Sequence, residues 1–324
     1  MKVRYSYLPQ QFENCEELWK DLKEFVATGD FTLGEPLTRF EESFAQLIGT
    51  KYAIGVNSGT DAIKLSLKSL NIGPGDEVIT AANTFVATVG AICELGATPV
   101  FVDCNDTFCM NTDLVEEKIT EKTKAFLPVH YTGYMTDMRV INRLSEKYNI
   151  SVVEDACQSI LGAINGKNAG TWGNTGAFSL HPLKNINVWS DGGVIVTDND
   201  KLYRKLRLLR NHGFEDRDTV VMMGCNSKLD TLQAVVGNWI LPKAKLIYNS
   251  SKLTSLHKNC YSKQKNHSIN FIRQILKCNN YKMKPKITSL GYTKNGKKII
   301  KRSYIIESTK NNEKDVNTLK EVEI

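Results

Sequence analysis

From Tyr52 onward, short β-branched runs alternate with helix-length segments, and that rhythm leaves few folds open. The runs are YAIGV (52–56), DEVIT (76–80), TPVFV (98–102), KAFLPV (124–129), ISVVED (150–155), TGAFSL (175–180) and GGVIVT (192–197). Helical patterns fall near 36–48, 59–70, 84–95, 111–119, 136–147 and 200–211, and most are long enough to carry a crossover between parallel strands. The turn NIGPGDE (71–77) ends one helix and starts the next strand. The expectation is an α/β domain built on a mainly parallel seven-stranded sheet, preceded by an amphipathic helix around 13–27. Only a dozen residues separate the last run from TGAFSL, so that strand is expected to be antiparallel.

In such sheets chemistry gathers at the carboxyl ends of the strands. Ser58-Gly59-Thr60 stands between a strand and a helix, where free amides can hold a phosphate, although an ordinary helix cap has the same residues. Thr84-Phe85 follows the second run. Asp155 ends a strand rather than lying on a solvated face, so it can hold a cation or serve as a cap or ion-pair partner. Gln158 lies three residues on, one helical turn away if the segment is helical. Ser179 ends the sixth run. Lys184 is the sole Lys between Asn168 and Asp200, among Gly, aromatic and small polar residues. A partly desolvated amine becomes a nucleophile towards carbonyls, and phosphate binding or a buried ion pair are the other uses of such a Lys. Together these groups form the set that pyridoxal phosphate needs: a phosphate cradle, an aromatic face, a carboxylate and an amine.

The segments TGDFTLGEPLTRFEESFAQLIGTKYAIGVNSGTDAIKLSL, GPGDEVITAANTFVATVGAICELGATPVFVD, VVEDACQSILGA, FSLHPLKNINVWSDGGVIVT and GCNSKLDTLQAVVGNWILPK resemble, in order and spacing, the DegT/DnrJ/EryC1 sugar aminotransferases of pyridoxal-phosphate fold type I. The resemblance covers residues 28–243 or so. It implies that Lys184 is the cofactor-bearing lysine and the acid/base that moves the proton during transamination. It also implies that Asp155 pairs with the ring nitrogen, Gln158 lies by the ring hydroxyl and Phe85 stacks on the ring. Ser58, Gly59, Thr60 and Ser179 would bind the phosphate, and Asn226 would reach the phosphate of a neighbouring subunit's cofactor, which implies a homodimer with shared sites. Glutamate is the implied amino donor and a nucleotide-linked keto sugar the acceptor. Relatives that dehydrate sugars carry His in place of the Lys, so Lys184 favours transamination.

Composition changes after Lys243. Residues 1–244 hold 24 basic and 30 acidic residues, whereas 245–324 hold 18 and 5, with no Ala, ten Asn and two of the 22 Gly. The resulting organisation is an N-terminal helix and arm (1–27), a cofactor-binding domain (28–243) and an atypical basic tail (244–324) in place of the family's small C-terminal domain. A shifted reading frame, restored near Arg302 to Ile324, would produce such a break, as would a diverged basic domain. The tail leaves an alternative function open, a catalytically impaired homologue with an intact cofactor site. The net charge of +7 belongs to this tail, whose scattered Lys supports only nonspecific nucleic-acid binding. The eight Cys form no CxxC pair and the five His are dispersed, so no metal site is expected. No run approaches the ~20 apolar residues of a membrane span, and MKVRYSYLPQQFEN lacks the apolar stretch of a signal peptide, so the expected location is the cytoplasm.

Overall fold

The computed structural model describes residues 8–247 and, as backbone strands, three segments between 281 and 323. It divides into two compact units, Met1–Leu256 and His257–Ile324.

The first unit opens with helices α1 (Leu8–Gln11), α2 (Glu16–Thr28) and α3 (Glu35–Ile48). Strands β1 (Tyr52–Val56), β2 (Glu77–Ala81) and β3 (Thr98–Val102) then alternate with α4 (Gly59–Ser69) and α5 (Val86–Glu94). After β4 (Thr123–Leu127), α6 (Met138–Tyr148) and β5 (Ser151–Asp155) comes a small hairpin of β6 (Ala163–Ile164) and β7 (Lys167–Asn168). The unit is completed by β8 (Thr175–Ser179), β9 (Gly193–Thr197), α7 (Asp200–Arg210) and α8 (Thr231–Ile240). Seven of these strands form one sheet in the order β1-β9-β8-β5-β4-β2-β3. From β3 to β8 every pairing is parallel; β9 is antiparallel to both its neighbours, as its short connection requires.

Alternation along the strands feeds a core on each face. In β9, Val194 and Val196 pack with Leu37, Phe40 and Phe44 of α3, whereas Ile195 packs on the opposite side with Ile63 of α4 and Leu206 of α7. Helix α2 presents Leu18, Leu22 and Phe25 at helical spacing to Val235 and Val236 of α8. Caps fix the helix limits. Ser58 Oγ accepts the Asp61 amide at α4, Asp230 and Gln233 form a capping box at α8, and Gly49 closes α3 at a φ of 88°.

One expected helix is corrected. Residues 111–119 form two 3-10 turns, Thr112–Leu114 and Glu116–Lys118. Val115 and Ile119 stand at helical spacing, but Val115 alone is buried in full, so no continuous stripe packs on the core.

The second unit contains an antiparallel sheet of β10 (Tyr281–Tyr292), β11 (Lys298–Ser308) and β12 (Lys320–Glu323), with Ile287 opposite Arg302. The sequence reading assigned no elements to this stretch. Cys260, Cys278, His257 and His267 lie outside the described residues. Among the described residues no helix is long and apolar enough to cross a membrane.

Candidate active site

The segments at the carboxyl ends of β5 and β8 line one cleft with Cys157, Gln158, Ser179, Lys184 and Asn185, among others. Helix α4 starts directly after β1, and its first amides, those of Gly59 and Thr60, have no carbonyl of their own helix to bond. Gly59 lies so near β8 that a Cβ there would stand 2.7 Å from Ser179 Cβ and 3.1 Å from Cys157 Sγ. A Cβ on Gly193 of β9 would meet the Ser58 carbonyl oxygen at 2.2 Å. Two glycines therefore allow the helix start to be pressed against the strands, with Ser179 beside it.

Asp155 ends β5 and is 5% exposed. Its Oδ2 accepts the Thr88 hydroxyl at 2.7 Å and its Oδ1 the Cys157 amide at 3.2 Å. Thr88 in turn accepts the Thr84 hydroxyl at 2.7 Å. Asp155 makes no salt bridge among the described residues, so the ion-pair use of this carboxylate is not the one adopted. The Asp155 backbone is held by Pro128 and His130, through bonds of 2.9 Å and 3.0 Å.

Gln158 is corrected in its placement. Residues after Asp155 form turns rather than a helix, and Gln158 is fixed instead by its Oε1, which accepts the Thr132 amide at 3.0 Å. That bond assigns the side chain's orientation and leaves the NH2 group as the donor available to a ligand.

Lys184 is half-buried in the loop after β8. The loop folds on itself: the His181 amide donates to Ser179 Oγ at 3.3 Å, the Leu183 amide to His181 Nδ1 at 3.2 Å and the Lys184 amide to the His181 carbonyl at 2.8 Å. Ile186 and Val188 anchor its far side in the core. Cys157 reports the electrostatics here. Burial pushes its thiol well above the ordinary 9.0, the Asp155 charge adds to the rise, and the Lys184 charge opposes it.

Of the predicted site residues, Gln158, Ser179 and Lys184 line this cleft and Ser58, Gly59, Thr60, Phe85, Asp155 and Asn226 are not in its lining. Phe85 precedes α5 next to Thr84 and is 64% exposed. Asn226 is exposed on a segment that runs along β1, where Ser227 accepts the Asn57 amide on its carbonyl at 3.1 Å and donates its hydroxyl to Asp61 Oδ2 at 2.8 Å.

Sequence reasoning passed over the support beneath Asp155. Glu154 and His130 are fully buried side chains paired at 2.9 Å. Glu154 also accepts the amides of Gly170, Trp172 and Gly173 at 2.9, 2.6 and 2.8 Å. His130 Nδ1 accepts the Thr136 amide at 3.3 Å, which assigns the imidazole proton to Nε2, facing Glu154. The available signal was an acid inside an otherwise apolar strand, which needs donors wherever it is buried.

The DegT/DnrJ/EryC1/StrS aminotransferase family matches over residues 13–266. A "UDP-N-acetyl-3-dehydro-alpha-D-glucosamine 3-aminotranferase" of Acidithiobacillus ferrooxidans is 43% identical over 68% of this chain and 60% of its own length. A "Pleiotropic regulatory protein" of Geobacillus stearothermophilus is 40% identical over 73% of this chain and 64% of its own. The chain thus spans less than two thirds of these relatives. Among solved structures, DesV of S. venezuelae has a TM-score of 0.73 at 38% identity, covering 75% of this chain and 66% of that one. NtdA of Bacillus subtilis, solved with bound cofactor PMP, has a TM-score of 0.70 at 38% identity, covering 76% and 56%. The sheet agrees with this relationship, and the chain belongs to the DegT/DnrJ/EryC1/StrS aminotransferase family.

Proposed function

We propose that this protein is a pyridoxal-phosphate-dependent aminotransferase that moves an amino group from glutamate to a nucleotide-linked keto sugar, in the cytoplasm, as a homodimer with shared active sites. The observation that carries the reading is a cleft lined by Lys184, Gln158 and Ser179, with the start of α4 pressed against Ser179 and Cys157 through the bare Cα of Gly59 and Asp155 bonded to the Cys157 amide behind it. The residues fit the cofactor's three handles. Ser58, Gly59, Thr60 and Ser179 offer hydroxyls and unbonded helix-start amides for a phosphate. Asp155 offers a buried carboxylate for a protonated ring nitrogen, and Gln158 offers an NH2 for the ring hydroxyl.

When bound, pyridoxal phosphate supplies an aldehyde and a ring that withdraws electrons from the carbon losing its proton. Within this chain, Lys184 would hold the cofactor through its Nζ and, as a free amine, would take up and return a proton at that atom. Asp155 would hold the proton at the ring nitrogen, Phe85 would cover a ring face, and Asn226 would serve the phosphate site of a partner subunit.

The test is spectroscopic. Protein mixed with pyridoxal phosphate should acquire a visible absorption band that Lys184→Ala lacks; a band unchanged in the variant would remove Lys184 from the role. Mixing Lys184→Ala and Asn226→Ala chains should restore one intact site per mixed dimer, and no gain over the separate variants would count against sharing. A panel of nucleotide-linked 3-keto and 4-keto sugars identifies the acceptor. The compositional break after Lys243 favours a second reading, a homologue with an intact cofactor site and a defective small domain. A band that glutamate fails to bleach would select it.

A further inference from the structure

Asp155 is a buried acid without a cationic partner among the described residues, and its orientation is set by donors that differ in kind. One is the backbone amide of Cys157, two residues on; the other is the hydroxyl of Thr88, 67 positions away on α5. A backbone donor is fixed by the fold, but a hydroxyl rotates, so something must commit its proton. The Thr84 hydroxyl does so: it donates to Thr88 Oγ1 at 2.7 Å, occupying the acceptor side and leaving the Thr88 proton to Asp155. Thr88 is 1% exposed, so water does not compete with this chain of bonds.

We propose that Thr88, oriented by Thr84, is a positioning residue that aims the Asp155 carboxylate, and thereby sets how firmly the cofactor's ring nitrogen keeps its proton. This rests on the role of Asp155 proposed above. The physical cause is competition for one proton. A carboxylate that accepts a short hydrogen bond is a weaker base, so a proton shared with the ring nitrogen stays on the ring. Without the Thr88 hydroxyl, Asp155 becomes the stronger base and draws that proton away. Thr84 and Phe85 are adjacent in sequence, so the turn that carries the ring-stacking candidate also carries the start of the relay.

The experiment uses the full chain loaded with pyridoxal phosphate labelled with 15N in the ring, in the wild type and in Thr88→Val, Thr88→Ser and Thr84→Val. The 15N shift of the ring nitrogen should move towards the unprotonated value in Thr88→Val, return with Thr88→Ser, and move partway in Thr84→Val. With glutamate as donor, kcat of the half-reaction should fall about tenfold in Thr88→Val, the size expected for one charge-assisted hydrogen bond, with KM changed less than twofold. Thermal melting of the cofactor-free chains separates this from misfolding, and rescue by Ser, which keeps the hydroxyl but loses the methyl that the near-isosteric Val keeps, is the arm a packing role would not reproduce. A wild-type 15N shift retained in Thr88→Val overturns the inference while leaving Lys184 and the aminotransferase reading intact. Absence of a visible band in the wild type overturns both.

Discussion

Glu41 and Arg210, 169 positions apart, bond the two backbone groups of one residue, Gly55. Glu41 Oε1 accepts the Gly55 amide at 2.6 Å, Arg210 Nη1 donates to its carbonyl at 2.9 Å, and the two side chains pair with each other. Strand β1 lies at the edge of the sheet, so an ion pair satisfies groups that a further strand would otherwise bond. Arg210 is 4% exposed, and its removal would leave a nearly buried Glu41 uncompensated. Arg210→Ala should lower unfolding stability by about 3–5 kcal/mol, and a Glu41→Leu/Arg210→Met double variant should recover only part of it, because the buried Gly55 amide then lacks its acceptor. Chemical denaturation decides this; an unshifted midpoint in Arg210→Ala would show that the pair contributes little.

Glu154 accepts three amides and the His130 Nε2–H, which fills a carboxylate with donors. Glu154→Gln turns an NH2 group towards some of them. A loss of about 3 kcal/mol or more is expected, since hydrogen bonds to a charged group are each worth about 1.5–3 kcal/mol and one site becomes repulsive. Near-wild-type melting of Glu154→Gln would mean that the four donors do not depend on two acceptor oxygens here.

Gly193→Ala should damage cofactor binding, because the added Cβ meets backbone, the Ser58 carbonyl, at 2.2 Å. Gly59→Ala presses on Ser179 and Cys157 instead, at 2.7 Å and 3.1 Å. Overpacking of this kind costs about 1–3 kcal/mol. Titration with pyridoxal phosphate should show affinity falling by at least tenfold in either variant; equal affinity would separate the start of α4 from phosphate binding.

Cys157 should remain unalkylated at neutral pH while the exposed Cys93 reacts, which peptide mass spectrometry can follow. Only the thiolate is nucleophilic, and the Cys157 thiol is pushed well above 9.0, first by burial and then by Asp155. The stability sign follows from the same shift. An acid whose folded value exceeds its unfolded one favours the folded state fully below the unfolded value near 9.0, and that contribution is lost as pH rises from there through the folded value. Stability should therefore decline above about pH 9, and Cys157→Ala should reduce that slope.

Strands could be read from the sequence because their determinants are local. YAIGV and TPVFV coincide with β1 and β3 residue for residue, and the remaining five sheet strands differ by no more than two residues at either end. β-Branched runs between turn signals suffice for that, whichever neighbours the strand later acquires. The segment 111–119 failed because charged residues between few apolar ones satisfy helical spacing loosely, and the choice fell to Val115 packing beneath a pair of turns. Gln158 was legible as a candidate but not in its orientation, which depends on the amide of Thr132, 26 positions away.

What the sequence determined by itself was the alternating architecture, the antiparallel last strand and the junctions where Lys184, Asp155 and Gly59 stand. Periodicity, chain connectivity and residue chemistry are properties of a linear string. Only the tertiary structure decided that Thr88 bonds Asp155, that Glu154 is filled by donors from the loop after β7, and that Glu41 and Arg210 finish the edge of β1. Each of those depends on burial, which turns a polar group into one that must find a partner, and on which distant segment the fold places within 3 Å of it.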